Sequence, residues 1–206
     1  MSILNQIIHT IKINNTLKKI VIVGSGAVGK TSLLKSLTKS DDSNFVLETN
    51  YERTPFLNID SKKVENKENN NIGHLQFYDL AGQKDLPIHA LKDFSRLILG
   101  HTDIILLVFA NNNLQSLLDL KSWYEMINEG LKQDRFNSNC KFILINNKID
   151  LLSNIDEAML DVFSEADQRF KGIFKVSCKT NEGIKTLSNW IQKELFNTWV
   201  FLINLL

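Results

Sequence analysis

Short apolar runs alternate with amphipathic helical stretches along this chain. Lys19–Val23, His74–Tyr78, Ile104–Phe109, Lys141–Ile145 and Ile173–Val176 are brief and rich in β-branched or aromatic residues. Each runs into a polar or glycine-bearing loop, the pattern of a buried strand. Between them lie residues with helical spacing. Leu33, Leu34 and Leu37 share one face; so do Leu117, Leu120, Tyr124 and Ile127, and later Ile184, Leu187, Ile191 and Leu195. This alternation predicts an α/β fold with a mostly parallel central sheet and helices on both faces. A more polar strand is expected within residues 53–59, at a sheet edge, because Pro55 lacks an N–H for a central ladder. The stretch SKKVENKENNNIG that follows reads as a solvated loop or hairpin tip. In such sheets ligands bind at the carboxyl ends of the strands. Every polar motif of this chain falls there.

Composition narrows the class. The chain has 206 residues, 43% hydrophobic and 23% charged, which suits one soluble domain. The net charge of +1 gives no long-range pull on nucleic acid. Cys140 and Cys178 are too few for a disulfide framework or zinc site, and a reducing, cytoplasmic setting is expected. His9, His74, His89 and His101 have no metal-ligand spacing. No apolar run approaches the ~20 residues of a membrane span, and no secretory leader is visible.

The strongest motif follows the first strand. Gly24-Ser25-Gly26-Ala27-Val28-Gly29-Lys30-Thr31 matches G-x-x-x-x-G-K-[ST]. Glycines allow the backbone N–H groups to wrap phosphate oxygens, and the helix beginning through Thr31 and Ser32 adds its positive end. Lys30 would meet the β- and γ-phosphates, and Thr31 would give its hydroxyl to Mg²⁺. Asn147-Lys148-Ile149-Asp150 ends a later strand. A carboxylate at Asp150 can accept two hydrogen bonds from guanine, whereas adenine offers no matching donor pair. Lys148 can lay its stem on the base, and Asn147 would tie this loop to the phosphate loop. Ser177-Cys178-Lys179 follows the last strand, where a backbone N–H can reach the guanine oxygen.

With these motifs in order, together with Asp79-Leu80-Ala81-Gly82-Gln83, the chain resembles the Ras superfamily of small GTPases, most closely its Rab and Ras branches. The stretch QSLLDLKSWYEMI, residues 115–127, adds to that likeness. The resemblance implies a P-loop G domain over residues 18–196, preceded by an amphipathic extension (1–17) and followed by a hydrophobic tail (197–206). It implies slow GTP hydrolysis, GTP or GDP as bound nucleotide, and Mg²⁺ held by Thr31, Asp79 and a switch threonine. Thr49 keeps the family interval from Thr31 and is preferred over Thr54, which Pro55 places on the edge strand. Gly82 would reach the γ-phosphate through its N–H. Gln83 would orient the attacking water and, with Lys30, forms the expected catalytic pair. Gly26 matches a position where a side chain impairs hydrolysis. Effectors, an exchange factor and a GTPase-activating protein are the implied partners. Departures are Lys84, Pro87 and Ala110, and Phe45 is displaced from the spacing of a base-covering aromatic.

Both ends are apolar. Ile3, Leu4, Ile7, Ile8 and Ile11 trace one helical face, and Trp199–Ile203 form a second apolar stretch. Packing on the domain, peripheral membrane contact and partner binding remain alternatives for them. With no cysteine among its last residues and serine at position 2, this sequence leads us to expect neither C-terminal prenylation nor N-myristoylation. Two other functions stay open at this point: a guanine-nucleotide scaffold that never cycles, and an adenine-using P-loop nucleotide kinase.

Overall fold

The computed structural model describes residues 17–39, 54–66, 71–82, 98–133, 140–156, 158–160 and 167–196. In chain order the elements are β1 (Leu17–Val23), α1 (Lys30–Thr38), β2 (Leu57–Asn66), β3 (Asn71–Leu80), β4 (Ile104–Ala110), α2 (Leu114–Gln133), β5 (Lys141–Asn147), β6 (Phe170–Lys175) and α3 (Ile184–Phe196). The strands form one sheet in the order β2-β3-β1-β4-β5-β6. All pairings are parallel except β2 with β3.

Apolar runs make the inner strands because both of their faces are covered. All seven residues of β4 are buried, as a strand flanked by helices on both sides requires. On one face, Ile20, Ile22, Leu106 and Ile143 pack with Leu33, Leu34 and Leu37 of α1 and with Ile184, Leu187 and Ile191 of α3. On the other, Val21, Val23, Leu107 and Phe142 pack with Leu117, Leu120, Trp123 and Ile127 of α2. The expected helical faces therefore bury as the periodicity predicts, with Tyr124 partly buried at the margin of the second core.

The sequence reading and the structure differ most at β2. It is the edge strand, as Pro55 suggested, but it begins after that proline and continues to Asn66. Most of SKKVENKENNNIG is thus ladder, with Lys62 paired to Leu75 and Val64 to Gly73. Its polarity reflects the solvated faces of an antiparallel edge hairpin rather than a loop. At the far edge, β6 starts earlier than expected, at Phe170, with a register irregularity between Phe142 and Leu144 of its partner.

Residues 1–16 of the expected terminal extension (1–17), the tail (197–206), Phe45, Thr49, Gln83, Lys84 and Pro87 lie outside the described residues, whereas Leu17 opens β1.

Candidate nucleotide and metal site

The phosphate loop leaves β1 at Gly24 and enters α1 at Lys30. The cap residue of α1 is Gly29, in the left-handed region at φ 96, and no side chain caps the helix. Its first turn carries no acidic residue. The N-terminal N–H groups and the dipole are therefore open to an anion. Gly29 is required by its neighbour as well as by its backbone: a Cβ there would fall 2.4 Å from Asn147 Nδ2. At Gly26 a Cβ would meet nothing within 4 Å.

Lys30 is buried, and its ammonium donates to the Ser25 carbonyl at 2.8 Å. Burial lowers its pKa to about 8, partly opposed by the negative charge of Asp79. A desolvated lysine in this position gains most from a phosphate counter-charge. The Ser25 hydroxyl donates to Asp119 Oδ2 of α2 at 2.7 Å. Ser25 thus joins the loop, the lysine and a neighbouring helix.

Beside Lys30 lies a cluster of hard oxygens. Thr31 Oγ1 donates to Asp79 Oδ2 at 2.6 Å. Thr54 Oγ1 is 3.0 Å from Thr31 Oγ1. Asp79 is fully buried, and burial raises its pKa against the opposing effects of Thr31, Lys30 and Thr54. Its second oxygen, Oδ1, has no hydrogen-bond partner among the described residues. A buried carboxylate oxygen without a partner is costly unless a cation or water completes it. Two hydroxyls and one carboxylate make a sparse, hard donor set that fits Mg²⁺, which keeps waters and takes its remaining ligands from phosphates. Gly82, just beyond β3, packs against the phosphate loop so closely that a Cβ would lie 2.5 Å from Gly26 N.

The third and fourth loops are fastened to the first. Asn147 Nδ2 donates to the Val28 carbonyl at 2.9 Å, and its Oδ1 accepts the Cys178 N–H at 3.3 Å. Lys148, at φ 64, donates from Nζ to the carbonyl of Ala27, itself at φ 60, with a 2.7 Å separation. Non-glycine residues in the left-handed region carry strain that the surroundings must hold. Ser177 Oγ donates to Asp150 Oδ1 at 2.6 Å and accepts the Thr180 N–H at 3.1 Å. The carboxylate is thereby held at one oxygen. The Cys178 thiol is buried and raised to about 12, so its side chain is a packing group.

The structure thus brings together Gly24–Ser32, Asp79, Gly82, Asn147, Lys148, Asp150, Ser177 and Cys178 at the carboxyl ends of β1, β3, β5 and β6. Thr49 and Gln83 are outside the described residues, whereas Thr54, the less favoured threonine of the sequence reading, is at the oxygen cluster. Sequence reasoning also missed Asp119 and Asn111. Asn111 belongs to no motif, and Asp119, although it lies within the 115–127 stretch, meets the phosphate loop only through Ser25, far away in sequence.

A glycine-rich anion loop, a hard-oxygen pocket and a separate base loop, all at strand ends of one α/β sheet, define a P-loop nucleotide-binding protein with the layout of a small GTPase. A sequence model of the Ras family matches residues 19–197. The Ras-related protein RabV of Dictyostelium discoideum is 30% identical over 151 residues, covering 73% of this chain and 58% of RabV. RabC of the same organism is 25% identical over 181 residues, 87% of this chain and 84% of RabC. Human Rab-36 is 29% identical over 172 residues, 82% of this chain and 58% of Rab-36. The chain belongs to the Ras family.

Proposed function

We propose that this chain is a guanine-nucleotide switch that hydrolyses GTP to GDP and inorganic phosphate and recruits effectors in its GTP state, in trafficking or signalling. The observation that carries the reading is the direct tie between phosphate loop and base loop through Asn147. One side chain joins Val28 to Cys178, so a single ligand with a polyphosphate tail and a purine spans a prebuilt frame.

The phosphate tail would lie along the N–H groups of residues 25–31, with the Lys30 ammonium against its oxygens. Asp150 would accept the guanine ring N–H and exocyclic amine, and an N–H of the 177–179 loop would meet the guanine oxygen. Thr31, Asp79 and Thr54 would hold Mg²⁺, which would offset the negative charge of the phosphates when bound. In hydrolysis, water adds to the γ-phosphorus, the bond to the β–γ bridging oxygen breaks, and GDP leaves with that electron pair. Gln83 is assigned to orient the water, and Gly82 to offer its N–H to the γ-phosphate. These roles ask for positioning and charge stabilisation rather than covalent chemistry. Thr54 rather than Thr49 is favoured as the switch threonine because of its place beside Thr31. The expected partners are effectors, an exchange factor and an activating protein that supplies an arginine.

The deciding experiment is nucleotide binding and single-turnover hydrolysis by the purified full chain with Mg²⁺. GTP should bind far more tightly than ATP, and Gln83→Leu should slow a measurable hydrolysis at least tenfold. Equal binding of ATP would overturn the guanine assignment. Negligible hydrolysis in both forms, even with an activating protein, would identify a nucleotide-holding scaffold instead.

A further inference from the structure

The base loop is gripped by a residue that no nucleotide-binding motif contains. Asn111, directly after β4, is only 8% exposed. Its N–H donates to the Asn147 carbonyl at 2.7 Å, and its carbonyl accepts the Asn154 N–H at 3.2 Å. Its side-chain Nδ2 donates to the Leu151 carbonyl at 3.0 Å. Its Oδ1 accepts from Asn146 Nδ2 at 2.9 Å. One residue therefore holds the 146–154 segment at four points, on both sides of Asp150. Asn146 is 3% exposed, and its own Oδ1 has no partner among the described residues. A buried amide left half satisfied costs stability. An apolar pair would fill the same interior without that cost, so the asparagine pair calls for another explanation.

We propose that Asn111 and Asn146 are positioning residues for base recognition, acting through Asp150. The inference rests on the guanine reading of the site given above. The loop they hold is irregular backbone, with Lys148 at φ 64, and no strand ladder fixes its path beyond Asn147. The Ser177 hydroxyl restrains one carboxylate oxygen; the Asn111 clamp restrains the main chain that carries the carboxylate. Loosening the clamp turns a fixed two-point acceptor into a mobile one, and a purine that uses both points loses most.

The test compares release of tritiated GDP and tritiated IDP from the full chain with Mg²⁺. IDP lacks the exocyclic amine and engages the carboxylate once. Asn111→Ala should release GDP roughly tenfold faster, as expected for the loss of a hydrogen bond to a charged group. IDP release should rise only about threefold, because one acceptor contact is at stake instead of two. Asn146→Gly, which removes a single side-chain bond, should shift both rates in the same unequal way, and it carries the test if Asn111→Ala fails to fold. Equal acceleration for the two nucleotides, or unchanged GDP release, would overturn the positioning role. Wild-type protein that holds ATP as tightly as GTP would instead overturn the guanine reading beneath it.

Discussion

The hydroxyl oxygens of Thr31 and Thr54 lie 3.0 Å apart although 23 residues separate them. Thr31 is bonded in turn to the buried Asp79. Thr49 has the customary spacing, but Thr54 has the contact. Removing the Thr54 hydroxyl should weaken retention of a non-hydrolysable GTP analogue about tenfold, and the loss should deepen as Mg²⁺ is lowered. Thr49→Ala should change it little. Dissociation of the analogue across a Mg²⁺ titration measures both, and a larger effect at Thr49 would reverse the assignment.

Ser25 and Asp119 link the phosphate loop to α2. The serine carbonyl is also the acceptor for Lys30, so a loosened Ser25 should disturb the lysine. Ser25→Ala and Asp119→Ala should each speed GDP release several-fold. Because they remove the same bond, the double variant should be non-additive by about 1 kcal/mol. Strict additivity in the release rates would show that the bond contributes nothing to nucleotide retention.

Two glycines of the same loop should behave differently. Gly29→Ala forces a Cβ onto Asn147 Nδ2 at φ 96; it should cost about 1–3 kcal/mol of stability and most nucleotide affinity. Gly26→Val places its Cβ in open space, so its stability should stay within about 0.5 kcal/mol of the parent. Its hydrolysis should still fall, since that space adjoins the expected phosphates. Thermal unfolding paired with single-turnover hydrolysis separates the two effects.

Far from the site, Asp167 is held by Arg169, whose Nε lies 2.9 Å from Oδ2, and by the Tyr124 hydroxyl at 2.5 Å. The Arg169 hydrogen bonds keep this carboxyl well below the ordinary carboxylate value of 3.8. A depressed carboxylate stabilises the fold at all pH values above that ordinary value. The contribution fades as pH falls below 3.8 toward the folded pKa. Asp167→Asn should therefore cost roughly 1–2 kcal/mol at pH 7, and the gap to the parent should narrow below about pH 4. Urea unfolding at pH 7 and pH 3 checks this, and a gap that does not depend on pH would refute it.

Much of this was legible in the chain because it is local. Gly24–Thr31 must bend around something without side chains, Asn147–Asp150 must end a strand, and Leu33, Leu34 and Leu37 of α1, Leu117 and Leu120 of α2 and Leu187 and Leu195 of α3 recur at helical spacing. These follow from spacing and residue type within a few turns or strands. The length of β2 was not legible, because polar residues of an exposed edge hairpin look like a loop until a partner strand is known. Asn111 and Asp119 were not legible either; an asparagine after a strand and an aspartate on a helix are commonplace.

By itself the sequence determined the order of strands and helices, the chemistry of each loop and the kind of ligand such loops suit, since backbone geometry and side-chain chemistry are short-range properties. Only the tertiary structure decided which threonine stands beside Thr31 and Asp79, which asparagine clamps the base loop, and which helix anchors the phosphate loop. Those pairings join residues tens of positions apart, and they exist only because the sheet order brings the ends of non-consecutive strands side by side.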